Sequence, residues 1–182
     1  MAIPLRLFLI PLLLVSFTCN GGAQSGSLLQ TVQEHFAGIW VGINHDYTVN
    51  PANTSKITIT VRKDQHEGRL DMEYVYGGEG KPIERYKRRV IFEPKTSTVF
   101  IDRKGFGKEH LVADHLDEFL RNGYGDFTLH GVVDHKGDHH AFSKIDYHLS
   151  PDNWSYEVYV STFGGPFLRT GDWSLKRSSS TP

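Results

Sequence analysis

The chain has 182 residues, with 20 basic and 21 acidic side chains, 10 histidines, 18 glycines and one cysteine. That length supports one domain with its own core, and a formal charge of −1 excludes a polybasic nucleic-acid clamp or an acidic tail as the main feature. An aromatic content of 12% excludes a disordered chain, and the lone cysteine excludes an internal disulfide framework.

Residues 1–23 read as an export signal. Arg6 is the only charge before Glu34, and Leu7–Val15 is an apolar run of nine residues, too short to span about 30 Å of hydrocarbon as a helix. Gly21, Gly22 and Ala23 supply the small residues expected before a cut at Gln24. Cys19, directly after the apolar run and before the loose stretch Asn20–Ser27, also resembles the start of a bacterial lipoprotein. A membrane partner is expected only through such an anchor. Either way the protein is expected outside the cytoplasm: secreted, periplasmic or lipid-anchored at the cell envelope.

Residues 24–36 read as a linker followed by a short helix, because Leu28, Leu29, Val32 and Phe36 recur at helical spacing up to Gly38. After that the period changes to two. Ile57/Ile59/Val61, Leu70/Met72/Tyr74/Tyr76, Tyr86/Arg88/Val90/Phe92, Val99/Ile101, Phe127/Leu129/Val133, Ala141/Ile145/Tyr147/Leu149, Trp154/Tyr156/Val158/Val160 and Phe167/Trp173/Leu175 alternate with polar neighbours. Turn signals separate them, among them Asn50-Pro51, Glu67-Gly68, Gly77–Gly80, Lys136–Asp138 and Gly164–Pro166. One exception interrupts the pattern. Asp114–Gly123 has an N-cap candidate in Asp114, acidic residues in its first turn and a glycine after its end, which predicts a helical turn or a bulged strand. Eight to ten half-buried strands over 37–178, before a flexible tail at 179–182, predict an all-β antiparallel sandwich or closed barrel.

The opening Phe36-Ala37-Gly38-Ile39-Trp40-Val41-Gly42, a short helix running into Gly-x-Trp and the first strand, resembles the lipocalin-like (calycin) proteins. In that family an arginine near the C-terminus packs across the tryptophan at the closed end of the barrel, and Arg177 stands in the corresponding place. The resemblance implies an antiparallel 8–10-stranded lipocalin-like barrel with a short N-terminal helix, in which Gly38, Trp40 and Arg177 close one end. The absence of a disulfide pair and of a second loop motif departs from the lipocalins proper. The match therefore implies a barrel rather than a particular ligand.

In a small barrel, residues of one parity face inward, so polar side chains sharing parity with apolar ones mark a site. Arg88 shares a face with Tyr86, Val90 and Phe92, and Arg169 with Phe167, Gly171, Trp173 and Leu175. An inward guanidinium demands a partner, and a ligand carboxylate or phosphate suits its bidentate fork. The arrangement is similar to that of fatty-acid-binding relatives, with Tyr74, Tyr76, Tyr147 and Tyr156 supplying hydroxyls and an aromatic wall. Pairing with internal acids, or a bulge that turns an arginine outward, is the competing reading. His45, on the Ile43/Tyr47 face, is the candidate inward histidine, as would ligate haem in related nitrobindin-type barrels.

Other chemistry finds less support. Asp134, His135, Asp138, His139 and His140 surround an expected hairpin tip and read as surface histidines rather than a metal site. No Gly-x-Ser-x-Gly elbow occurs, and no cysteine follows the signal. Charge is uneven: residues 81–108 hold nine basic and three acidic side chains, and residues 109–157 hold ten acidic and three basic. Solvated faces on adjacent strands account for that. The expected function is binding of a small hydrophobic or amphipathic, anionic molecule inside the barrel, with no cofactor, no metal and no nucleic-acid partner. An acid–base isomerase or hydrolase on the same barrel, and a structural envelope module with a filled barrel, are the alternatives.

Overall fold

A computed structural model describes residues 21–49, 52–78, 81–103, 107–135, 139–162 and 164–179, with side chains at all of them except 21–27, 81, 108, 133–135 and 139–140. The export signal, Cys19 and the histidines of the expected hairpin tip lie outside these described side chains. Helix α1 (Gly21–Phe36) leads into strands β1 (Gly38–Asp46), β2 (Asn53–Lys63), β3 (Arg69–Gly78), β4 (Lys81–Glu93), β5 (Thr98–Arg103) and β6 (Gly107–Asp114). Helix α2 (Leu116–Asn122) follows, then β7 (Gly125–His135), β8 (His139–Leu149), β9 (Asn153–Thr162) and β10 (Leu168–Arg177). Every strand pairs antiparallel with its neighbour in sequence, and β1 pairs with β10 from Trp40↔Arg177 to Asp46↔Gly171, closing a ten-stranded barrel. The sequence-based expectation of an all-β antiparallel barrel with a helix before its first strand therefore holds.

Period-two alternation places the core inside. Ile57, Ile59 and Val61 of β2, Leu70, Met72 and Tyr74 of β3, and Trp154 and Tyr156 of β9 are buried, while the intervening residues are more exposed. Burial of this apolar surface is the main driving force, at roughly 25 cal/mol per Å².

Both helices seal the same end. From α1, Val32 and Phe36 are buried, and the Phe36 ring meets those of Phe92, Phe119 and Trp154. Buried Gln33 donates through Nε2 to the carbonyls of His66 at 3.0 Å and Arg69 at 2.7 Å, tying the helix to the β2–β3 turn. His35 stacks on Tyr124 at 3.8 Å, and its Nδ1 lies 2.9 Å from the Gly123 carbonyl oxygen beyond α2. From α2, Leu116, Phe119 and Leu120 are buried. Two expectations need correcting. Helix α1 starts at Gly21, seven residues ahead of the apolar periodicity, within the stretch that composition reads as a tether. The N-cap of α2 is His115 in a left-handed conformation (φ 62°), not Asp114, whose carboxylate is instead 2.9 Å from His130 Nε2 across the β6–β7 pair. Gly123 does close the helix, at φ 71°.

The seam at this end is held by Arg177. Its guanidinium lies 4.2 Å from the centre of the Trp40 ring, Nη1 donates to the Ala37 carbonyl at 2.7 Å, Nη2 to that of His35, and Nε to that of Pro151 at 2.8 Å. Gly38 makes room for it: φ is +131°, and a Cβ there would stand 3.0 Å from Arg177 Nη1. A left-handed backbone beside a packed side chain is why glycine occupies this position. Among the described residues no helix is long and apolar enough to cross a membrane.

Candidate ligand-binding site

The helix-covered half of the barrel is filled by its own side chains, but the other half opens to solvent in a cavity that, together with its rim at His45, Glu73, Arg85 and Asp172, measures about 1090 Å³. Its volume stands just above the usual range for a small-molecule pocket, some 300–1,000 Å³. Strand order explains its composition. Along β4, the inward residues from the mouth downward are Glu84, Tyr86, Arg88, Val90 and Phe92, facing Tyr76, Tyr74, Met72 and Leu70 of β3. Arg88 therefore stands where the packed core gives way to open space. Arg103 is its direct neighbour on β5 (Arg88↔Arg103), continuing the inward face of Val99 and Ile101.

Arg88 lies 4.6 Å from the centre of the Tyr74 ring, a cation–π contact. Burial works against its charge, but the surrounding hydroxyls of Tyr74, Tyr156, Tyr76 and Tyr147 outweigh it and hold the group above its ordinary value. It is a fixed cation. Among the described residues Arg88 forms no ion pair, whereas Arg103 reaches both oxygens of Glu109 through Nη2 at 2.9 and 3.0 Å. Arg103 Nε is buried without a hydrogen-bond partner among the described residues, as is Trp173 Nε1, and both residues border the cavity.

The aromatic wall is built in layers. Tyr76 and Tyr156 line the cavity with Tyr86 and Trp173. Tyr156 stacks on Trp173 at 3.7 Å, and Tyr76 meets Tyr86 edge-on at 5.7 Å. Tyr74 and Tyr147 stand behind them: Tyr147 stacks on Phe127 at 4.7 Å, and the Tyr74 hydroxyl contacts the Met72 sulfur at 3.2 Å. Burial raises all four hydroxyl pKa values, that of Tyr156 to about 12. At neutral pH these groups are neutral hydroxyls rather than bases.

Two expected site residues stand on the outer faces of their strands, Arg169 away from the cavity and His45 at its rim. Arg169 does not face inward. A bulge between Arg169 and Gly171 spends two residues of β10 on one step of β9, so Gly171 and Trp173 point inward while Arg169 points out. There it pairs with Glu157 at 2.8 Å and Asp172 at 3.1 Å, over the Tyr47 ring at 5.7 Å. Phe167, expected on the same inward face, lies exposed just before β10. His45 also belongs to the outer face of its strand, because β1 turns Trp40, Gly42 and Asn44 inward. Its Nδ1 is 2.8 Å from Asp172 Oδ1 at the lip of the mouth, which removes it as a haem ligand from within.

Arg103, Glu109, Tyr86 and Trp173 were absent from the sequence-derived site although parity could have found three of them. Arg103 follows Val99 and Ile101 in period two, Glu109 precedes Leu111 and Ala113 in the same way, and Tyr86 already shared the Arg88 face. The basic block at 81–108 is correspondingly split: Arg88 and Arg103 turn inward, while Arg85 and Arg89 sit outside beside Glu73, Asp71 and Asp64. Among the described residues no group of three His, Cys, Asp or Glu could hold a metal ion.

No family model and no curated protein matches the sequence. Solved structures match it through the fold. Rv2717c from M. tuberculosis is 13% identical, with a TM-score of 0.57 over 83% of this chain and 97% of that one. The S-type phycobiliprotein lyase CPES from Guillardia theta is 11% identical, with a TM-score of 0.54 over 88% and 98%. A protein of unknown function from the DUF3598 family of Nostoc punctiforme is 12% identical, with a TM-score of 0.50 over 80% of this chain and 49% of that one. The likeness at these identities is one of fold, the ten-stranded antiparallel barrel.

Proposed function

We propose that this chain is a lipocalin-like binding protein that holds a partly apolar, anionic small molecule in the open half of its barrel without converting it. One observation carries the reading: a half-buried cation, Arg88, with no ion pair among the described residues, at the edge of the open cavity. A buried charge is costly unless it is compensated, and a ligand anion would supply what the neighbouring side chains do not. The structural likeness to a phycobiliprotein lyase is compatible with a small molecule in a barrel of this kind. The reading includes export, with the first 23 residues removed; the N-terminal mass of protein recovered from the host tests that part.

Native mass spectrometry of protein purified from its host tests the binding. A co-purifying small molecule is expected, retained in Arg169→Ala and lost or reduced at least tenfold in occupancy in Arg88→Ala, since tenfold corresponds to only about 1.4 kcal/mol. If no bound mass is seen in any preparation, the binding reading fails. Equal occupancy in the two variants would remove Arg88 from the site.

A further inference from the structure

The cavity's charge, its orphaned donors and its layering together restrict the class of molecule it takes. Below the rim, the described inward charges are Arg88, Arg103 and Glu109, a net charge of one positive. A monoanion neutralises that set. A dianion would leave an uncompensated negative charge in a partly desolvated site, at a cost that rises as water is excluded. The hydrogen-bonding needs point the same way. On the cavity-lining residues of the interior, the buried polar atoms lacking partners are Arg103 Nε and Trp173 Nε1, both donors. Of the remaining two such atoms, Trp154 Nε1 lies in the filled half, and Asp172 Oδ2 belongs to the cavity's rim, where Arg169 at 3.1 Å compensates it.

Layering restricts the rest of the molecule. From Arg88 to Glu84 at the mouth is four residues of β4, or about 13 Å along the strand at ~3.3 Å per residue. Only the middle of that distance is apolar, walled by Tyr76, Tyr86, Tyr156 and Trp173. The rim above is polar, with Asn44 and Ser55 on β1 and β2 and Glu84 on β4. An extended alkyl chain would leave aromatic walls for a polar lip. One or two rings fill the apolar layer and present ring edges or faces to the aromatic wall.

We infer that the occupant is a monoanionic aromatic carboxylic acid of one or two rings, seated acid first against Arg88 and Arg103, with any polar substituents turned to the mouth. The inference rests on the binding function proposed above. Four probes separate its parts by calorimetry at pH 8, where a phosphate monoester is a dianion because its second pKa is about 6: 2-naphthoate, 2-naphthalenemethanol, 2-naphthyl phosphate and dodecanoate. Naphthoate is expected to bind at least tenfold more tightly than each of the others. Arg88→Gln should bring it to the level of the alcohol, and Arg103→Gln should weaken it with the alcohol unchanged, both variants being checked for wild-type far-UV circular dichroism. An alcohol that binds as tightly as the acid overturns the charge assignment, a tighter phosphate overturns the monoanion, and a tighter dodecanoate overturns the ring. If none of the four binds, the inference falls, while the wider binding reading falls only if native mass spectra also show no bound molecule.

Discussion

Replacing Arg177 by methionine tests the barrel seam. The substitution keeps an apolar stem over Trp40 and removes the guanidinium fork. Three carbonyl oxygens then lose their donor: His35 and Ala37 at the end of α1, and Pro151 in the β8–β9 turn. For a half-buried group, each such bond contributes about 1 kcal/mol. The stacking on the indole adds about 0.5–1 kcal/mol, so the total loss is about 3–4 kcal/mol. Against a typical domain stability of about 5–15 kcal/mol, that is a large fraction. Urea unfolding followed by tryptophan fluorescence reads it directly, as a lower midpoint with unchanged slope. Arg177→Lys keeps the charge but cannot reach three divergent carbonyls, and should recover only about 1 kcal/mol of the loss. A methionine variant less than about 1 kcal/mol weaker than wild type would refute the argument, because a single bond of the three is worth that much.

Three further outcomes follow from the geometry. Gly42→Ala should destabilise by about 2–3 kcal/mol or more, because its Cβ would stand 2.0 Å from the Ser174 carbonyl oxygen across the β1–β10 seam; a thermal midpoint equal to wild type would contradict this. Gln33→Leu, which strips the donor from the His66 and Arg69 carbonyls, should cost about 1–2 kcal/mol in urea unfolding. For Asp172, burial favours the neutral acid, but the contacts with His45, Tyr47 and Arg169 outweigh it and hold its pKa below 3.8. Its stabilising contribution is therefore complete above that value and is lost as pH falls through the lower, folded-state pKa. Asp172→Asn should flatten the fall of urea midpoints below about pH 4, relative to wild type.

How much of this was readable beforehand depends on which faces are asymmetric. In β4, charged residues alternate with Tyr86, Val90 and Phe92, so the inward placement of Arg88 follows from period two alone. In β1 the signal fails because apolar residues occupy both faces: Val41 and Ile43 are 40% and 38% exposed while Trp40 is fully buried. His45 was assigned to the wrong side for that reason. In β10 the alternation itself breaks. An extra residue at the bulge inverts parity between Arg169 and Gly171, and a register change is invisible to any pattern that assumes constant period. The pairing of Arg103 with Glu109 needed the β5–β6 register, which brings Ile101 opposite Glu109 and leaves Arg103 one step away on the same face. Closure by Trp40 and Arg177, by contrast, was legible from Gly38-x-Trp40 and the position of the terminal arginine. The cavity was not, because it depends on how many interior side chains fail to meet.

Both helices lie at one end of the barrel, and this has a kinetic consequence. Among the described residues the helices close that end and the cavity opens at the other, so on the binding function proposed above loading and release share one path. A newcomer cannot push an occupant out from behind; it must wait for spontaneous departure. Exchange of one bound molecule for another should then proceed at a rate independent of the competitor's concentration, set only by how often the resident's anion lets go of Arg88.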